Sequence, residues 1–362
     1  MRELVRLGVD VHAAVPPGGV LSAEYLKAGV ALHPAQFDLP VREPWRWPPL
    51  FREFRSLVKQ IAPDILHSHF VGTTLTMRLA LGKRDRLPRI FQVPGPLHLE
   101  HGFFRKAELA TAGASDYWIG SCKFTCEVYR RAGVREDRLF LSYYGLDTAR
   151  FDDSRRGKLR QELEIDEPTP LVGMVAYMYP PKWYLGQTRG IKGHEDFIDA
   201  IMLCLHQRPV LRAAIIGGAW NDASGYERRV RDYARRRCGD RVVFLGTRRD
   251  VPDLYADFDL VVHPSHSENV GGAGESLLFA VPTVATAVGG MPDLVREGET
   301  GWLVPPREPR KLAACILEIL DDREKSRART RRGQLLAREL LDVRKTGGEI
   351  LSVYQQILGA AA

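Results

Sequence analysis

Short apolar runs alternate with amphipathic stretches of helical period along nearly the whole chain. In the second half the strand-like runs are Leu171 to Ala176, Leu211 to Ile216, Arg241 to Leu245, Leu260 to His263, Thr283 to Ala287 and Trp302 to Val304. Stretches with helical spacing, His194 to Leu205, Tyr226 to Arg237 and Glu275 to Ala280, fall between them. Brief β-branched runs bounded by Gly and Pro predict buried strands, and the 3.6-residue period predicts helices. The first half repeats the pattern, with expected strands at Val9 to Val15, Asp64 to Phe70, Arg89 to Val93, Tyr117 to Ser121 and Arg138 to Ser142. Helices are expected at Leu50 to Ile61, near Leu75 to Leu81 and at Lys123 to Ala132, and three more, Lys311 to Asp321, Arg323 to Leu341 and Ile350 to Leu358, close the chain. Such alternation predicts an α/β protein with parallel sheets.

Between the halves, Asp152 to Glu167 is charged and short of β-branched residues, and Pro168 and Pro170 follow it. A linker is expected there, dividing the chain into domains at residues 1–155 and 165–342. The 362 residues, 44% of them apolar, suffice for two cores. At the other end, Arg2 to Leu7 reads as the close of a helix, so the alternation opens part way through a unit.

A net charge of +7 owes much to arginines at Arg228 to Arg241 and Arg323 to Arg332. Both stretches have helical period and interspersed acids, and read as solvated helix faces; weak attraction to anionic membrane or polyphosphate is the alternative. No nucleic-acid partner is expected, and membrane contact is expected to be peripheral at most. Five scattered cysteines, with Cys122 and Cys126 the only close pair, argue against a disulfide framework and against zinc. No apolar run reaches membrane-spanning length and no signal peptide is visible, so the expected location is cytoplasmic.

Candidate chemistry gathers where strands end. Four such loops in the second half carry glycines or cations: Arg189 with Lys192 and Gly193, then Gly217 and Gly218, then Gly271 and Gly272, then Gly289 and Gly290. Backbone amides at a helix start, beside fixed cations, suit a diphosphate at the carboxyl ends of parallel strands. Taken singly, a lysine such as Lys182 or Lys192 is an ordinary surface residue and a double glycine marks a tight turn. Glu268 and Glu275 flank the third loop. They suit either a glycosidase carboxylate pair or the binding of sugar hydroxyls, and Glu275 also fits a bland role as a helix N-terminal charge. In the first half, His67 and His69 stand at the far end of an expected strand, and His98, Glu100 and His101 lie in the polar loop PGPLHLEHG. Histidines in such loops serve structure or ligand contact.

The order HPSHSE, glycines, Glu275, VPTVAT, VGGMPDLV and EGETGWLVPP resembles the signature region of the retaining family 4 glycosyltransferases of GT-B fold. DILHSHF, YYGLD followed by Phe151, IKGHEDFIDAI, AAIIGG and VVFLGTRRDVPDLYADFDLVVHPS extend the likeness over nearly the whole chain, strongest from Val172 to Pro306. The resemblance implies two Rossmann-like domains facing across a cleft, with the final helix, 345–362, returning to the first. It implies a sugar-nucleotide-dependent hexosyltransferase that needs no metal and no cofactor, its donor, expected to be a UDP-sugar, being a substrate. Glu275 would hold ribose hydroxyls, and Glu268 with the backbone of Asn269, Val270, Gly271 and Gly272 the donor hexose. Lys192 and Gly193, with Arg189 nearby, would meet the diphosphate, and Gly217, Gly218, Thr247 and Arg248 would border the base. The residues expected in catalysis are His98, Lys192 and Glu268. His67, His69, His98, Glu100 and His101 are the candidates on the acceptor side, where a hydroxyl of a small molecule or glycan would bind.

Three departures from the family pattern bear on those roles. Six residues rather than the usual seven separate Glu268 from Glu275, which loosens the role of Glu268. The family's glycine and arginine after the first strand of the second domain fall at Ala176 and Tyr177, leaving Arg189 or Lys182 as substitutes; its histidine after the fourth strand falls at Pro94 and Gly95, leaving His98. Family members also begin with a strand and a glycine turn, roughly 30 residues or less, ahead of the helix at Met1. The first strand of the N-terminal domain is thus expected to be missing, through a late start site or a real loss. A catalytically weak sugar-nucleotide-binding protein and a GT-B epimerase or hydrolase are the alternatives. MYPPKWYLGQTRGIKGHE and SENVGGAGES faintly resemble a bacterial branch that includes aminocyclitol antibiotic glycosyltransferases, against polysaccharide or lipid-linked acceptors.

Overall fold

Every strand pairing in the computed structural model is parallel, as the helix-separated strands require. The structure describes residues 1–19, 21–151 and 157–361. Its strands are β1 (His12–Val15), β2 (Ala31–Pro34), β3 (Leu66–Ser68), β4 (Arg89–Val93), β5 (Asp116–Gly120), β6 (Leu139–Leu141), β7 (Leu171–Val175), β8 (Arg212–Ile216), β9 (Val242–Gly246), β10 (Leu260–His263), β11 (Thr283–Thr286) and β12 (Trp302–Val304). Contacts divide the chain into one unit of Met1–Leu146 with Val343–Ala362 and a second of Asp147–Asp342. The family-like α/β architecture expected from the sequence is present in both.

In the first unit β1 pairs with β2, and a separate sheet runs β3-β4-β5-β6. All five residues of β4 are buried, because helices cover both faces of the sheet. Its alternate residues divide between two cores: Phe91 and Val93 pack with Leu99, Trp118 and Tyr129, and Ile90 packs with Ile119 and with Ile350, Val353 and Ile357 of the helix Val343–Ala361. Buried charge is paired. Arg78 bonds Glu108 at 2.5 Å and Asp116 at 2.9 Å, and Arg89 bonds the other Asp116 oxygen at 2.7 Å. Removing one member would strand the others in low dielectric, so the network fixes the helix Gly102–Ala110 that carries Glu108.

The second unit is a six-stranded sheet in the order β12-β11-β10-β7-β8-β9. On one face Val172 and Met174 pack with Phe197, Ile198 and Ile201 of the helix His194–Gln207; on the other Leu171 meets Tyr255, Phe258 and Phe279. Full burial of such a side chain contributes about 1.5–3 kcal/mol. Order reverses at β7 and β10, and it is at such a reversal that ligands collect outside the strands' carboxyl ends. Among the described residues no helix is long and apolar enough to cross a membrane.

Four stretches differ from the sequence expectation. Part of the expected linker, residues 152–156, lies outside the described residues, and the rest contains the helix Lys158–Glu162, which buries Leu159 completely against the second unit's core. The loop Pro94 to Gly102 is mostly helical, as Leu97–Glu100 and Gly102–Ala110, because Leu99 is drawn into the core. Ahead of Leu50, the helix Ser22–Lys27, β2 and the start of the helix Trp47–Ile61 were not anticipated. The helix expected at Glu275 begins four residues earlier, as Gly271–Leu278.

Candidate functional site

The site of the second unit is built on β7 and β10. After β7 the chain makes a long excursion and returns at Ile191, whose carbonyl accepts from His266 N at 2.7 Å. Gly193 follows, at φ +73°, as the N-cap of the 14-residue helix His194–Gln207. A Cβ there would lie 2.0 Å from the Pro264 carbonyl, so only glycine lets this helix start close on the β10 turn. That closure sets Lys192 opposite Glu268. Lys192 Nζ donates to Glu268 Oε2, which also accepts from Ser265 Oγ at 3.2 Å, while Glu268 Oε1 accepts from Asn269 N at 3.1 Å. Despite the short spacing, the turn brings Glu268 to the lysine. Glu268 O further accepts from Gly290 N at 3.2 Å, tying in the double-glycine turn after β11.

Glu275 sits in the second turn of its helix, not the first, so it is no helix N-terminal charge. Burial raises its carboxyl pKa, opposed by a hydrogen bond from Tyr255 OH at 3.1 Å. Behind it His263 Nε2 meets Ser276 Oγ at 3.0 Å, and Thr283 Oγ1 donates to the same oxygen at 2.9 Å, fastening the helix to β10 and β11. Burial, and then the charge of Lys192, depress His263 to about 3, so the ring is neutral. Val270 is 2% exposed and can offer a ligand only its backbone; Gly271 and Gly272 open the helix.

Two expected cations are engaged elsewhere. Arg189 pairs with Asp196 and, at 2.8 Å, with Asp199, both on the helix it precedes, and Asp196 is shared with His266. Arg248 pairs with Asp250 at 2.8 Å and Glu162 at 2.6 Å, bracing the turn after β9. Both guanidinium groups thus lie in ion pairs with carboxylates of their own unit. Gly217, at φ +124°, passes so close to Ala176 that a Cβ would lie 2.1 Å from its carbonyl, and Gly218 approaches Thr247.

In the first unit His67 and His69 stack, with centroids 4.6 Å apart. His67 Nδ1 meets Tyr354 OH at 2.7 Å and His69 Nδ1 meets Tyr144 OH at 3.1 Å. Burial holds His67 well below its ordinary value, helped by His69, which is itself exposed. His98 lies against Phe91, 5.7 Å between centroids, and burial, then Arg78, lower it to about 4. Glu100 is exposed, and His101 meets Phe104 edge-on at 6.3 Å. His98 thus turns inward while Glu100 faces solvent. Sequence reasoning missed Tyr255, Ser265, His263 and Tyr179, whose ring lies 5.8 Å from Lys192 Nζ. Tyr255, His263 and Tyr179 gain their partners through tertiary packing, which no local pattern announces, whereas Ser265 meets Glu268 within one turn.

Taken as chemistry, the second unit offers an ammonium, a helix N-terminus, two carboxylates able to accept hydroxyl protons, and backbone amides at the mouth of a parallel sheet. Two family models match the chain: Glycosyltransferase Family 4 over residues 1–150 and Glycosyl transferases group 1 over residues 183–322. The lipopolysaccharide core biosynthesis mannosyltransferase LpsB of Rhizobium meliloti (strain 1021) is 26% identical over 220 residues, covering 59% of this chain. The chain spans 60% of that protein's length. The D-inositol 3-phosphate glycosyltransferase of Xylanimonas cellulosilytica is 28% identical over 318 residues, 81% of this chain and 72% of that one. Among solved structures, Anabaena Alr3699/HepE in complex with UDP-glucose superposes with a TM-score of 0.79 at 23% identity, over 99% of this chain and 93% of that one. That likeness shows the fold, GT-B.

Proposed function

This chain belongs to glycosyltransferase family 4, and we propose that it moves a hexose or amino-hexose from a nucleoside diphosphate sugar to a hydroxyl acceptor with retention of configuration. The observation that carries the reading is the Lys192–Glu268 pair at the start of the helix His194–Gln207. A diphosphate would take over Lys192 and the helix amides, releasing Glu268 to the hydroxyls of the donor sugar. Glu275 would accept from the ribose, with Tyr255 fixing its carboxylate, and the amides of Asn269 to Gly272 would face the donor. Gly217, Gly218 and Thr247 would border the base, with Arg248 bracing that turn.

In the transfer step the bond from the sugar's anomeric carbon to the phosphate oxygen breaks and a bond to the acceptor oxygen forms on the same face. The acceptor proton passes to the departing phosphate oxygen. Lys192 and the helix N-terminus stabilise the charge that develops there, so the protein's contribution is positioning and electrostatics. A UDP-sugar is the first donor to test, given the UDP-glucose complex of the Anabaena protein. On the acceptor side His67, His69, His98, Glu100 and His101 remain the proposed contacts, His98 as a neutral hydrogen-bonding ring.

The test is a panel of UDP-, GDP- and dTDP-sugars with candidate acceptors, including aminocyclitols. At least one donor should raise the melting temperature and be turned over to a product of unchanged anomeric configuration. Donor consumed equally well without acceptor would identify an epimerase or hydrolase instead, and neither binding nor turnover by any donor would overturn the reading.

A further inference from the structure

Beyond β7 and β8 the ladder continues outside the sheet and carries three aromatic rings that none of the roles above uses. Met178 N bonds Gly218 O at 2.9 Å, Trp220 N bonds Met178 O at 3.2 Å, and Met178 and Ala219 form an isolated parallel bridge. Met178 is fully buried. Because successive side chains of an extended segment point to opposite sides, burying Met178 turns Tyr177 and Tyr179 to the other side together. Trp220 meets both there: it stacks on Tyr179 at 5.1 Å between centroids and 27°, and Tyr177 approaches it edge-on at 5.4 Å and 68°. Trp220 nevertheless remains 43% exposed and Tyr177 41%. The geometry presents a braced aromatic surface to solvent.

Its neighbours indicate what fits it. Lys192 Nζ lies 5.8 Å from the Tyr179 centroid, so ammonium, Tyr179 and Trp220 form one connected row. The sheet order β10-β7-β8-β9 places Glu268, Lys192, Trp220 and Thr247 in succession, each in the loop after its strand. Adjacent strands are about 4.8 Å apart, a spacing that lets one extended ligand touch successive loops. Hydroxyl-binding carboxylate, cation and flat π surface follow one another as sugar, diphosphate and base do in a nucleotide sugar. We propose that Trp220, braced by Tyr177 and Tyr179, is the stacking platform for the donor's nucleobase. This rests on the donor reading above and adds to it the residues that grip the base. Stacking on a π face reads no base edge, so the platform accepts pyrimidine and purine alike.

The experiment is equilibrium titration of the whole chain with UDP, GDP and inorganic pyrophosphate. Trp220→Ala is expected to weaken UDP and GDP about 10-fold or more, leaving pyrophosphate unchanged, and Trp220→Phe to restore most of the loss. Trp220→Leu keeps apolar bulk without the ring and should behave as Trp220→Ala, which guards against a folding defect in the smaller variant. Unchanged UDP affinity in the Ala and Leu variants, with wild type binding UDP, would overturn the platform and leave the donor reading standing. A parallel loss of pyrophosphate would also overturn it, by showing that Trp220 acts through its loop. A wild-type chain that binds no UDP, GDP or dTDP would defeat the donor reading itself.

Discussion

Lys192 donates a hydrogen bond to Glu268, so the cation suited to a diphosphate and the carboxylate suited to a sugar neutralise each other across the β7 and β10 loops. The pair keeps both groups satisfied, and under the proposed transfer Lys192 would stand where charge develops on the departing phosphate. Lys192→Ala should therefore lower kcat/KM for the donor by about 100-fold or more, as does loss of a donor aimed at a developing oxyanion. Lys192→Arg, which keeps charge but changes its shape, should recover only part of this. Steady-state kinetics at saturating acceptor read both effects.

Glu275 should trade stability for binding. Burial raises its folded pKa above the ordinary carboxylate value of 4.5, because the folded state disfavours the charge. Between that value and the raised folded one the native state holds more protons than the unfolded, and stability falls as pH rises. Glu275→Gln, still able to accept from Tyr255, should raise the melting temperature at neutral pH, with the gain vanishing below about pH 4.5. The same variant should bind donor more weakly. A melting temperature lower than wild type at pH 7.5 would contradict this account of the site.

Buried neutral histidines should make both units acid-sensitive. His67 and His98 in the first unit and His194 and His263 in the second all have depressed pKa values, in each case chiefly through burial. Unfolded histidine titrates near 6.5, so the unfolded state binds more protons as pH falls from there. Stability should decline from pH 6.5 to about 4, where His98 and His194 begin to protonate in the fold as well. Urea titrations at pH 7 and pH 5 should give a clearly lower midpoint at pH 5.

Gly193→Ala should disrupt the site through the backbone. The residue lies at φ +73°, and a Cβ would collide with the Pro264 backbone. A loss of roughly 2 kcal/mol or more in urea unfolding of the second unit is expected, with donor affinity falling as Lys192 shifts.

Glu100, a proposed acceptor contact, is exposed beside inward-turned His98. Glu100→Gln should raise the acceptor KM several-fold and leave the donor KM unchanged. Equal changes in both would remove Glu100 from the acceptor contacts.

The strands of the second unit are legible in the sequence because β-branched runs such as Leu260 to His263 are buried on both faces and end at Pro or Gly. The helix Gly271–Leu278 is not, since three of its first four residues are glycine and propensity argues against a helix there. Its early start is a consequence of packing on β10 and β11, and it moves Glu275 from the first turn to the second. Sequence order hides that Asp196 and Asp199 face back toward Arg189 from the following helix. Tyr255 lies 20 residues before Glu275, a separation at which no local pattern announces a hydrogen bond. The sequence singles out Lys192, Gly193, Glu268 and Glu275 because their loops combine charge with glycine at strand ends, and the fold sets Lys192 against Glu268.

The most direct test of the exchange at the center of this account is a titration with UDP of wild type, Lys192→Ala and Glu268→Gln. If a diphosphate replaces Glu268 on Lys192, Lys192→Ala should lose about 10-fold or more in UDP affinity. Glu268→Gln, which frees the lysine, should bind UDP at least as tightly as wild type while losing sugar transfer. Unaltered affinity in Lys192→Ala, or a loss in Glu268→Gln as large as that in Lys192→Ala, would contradict it.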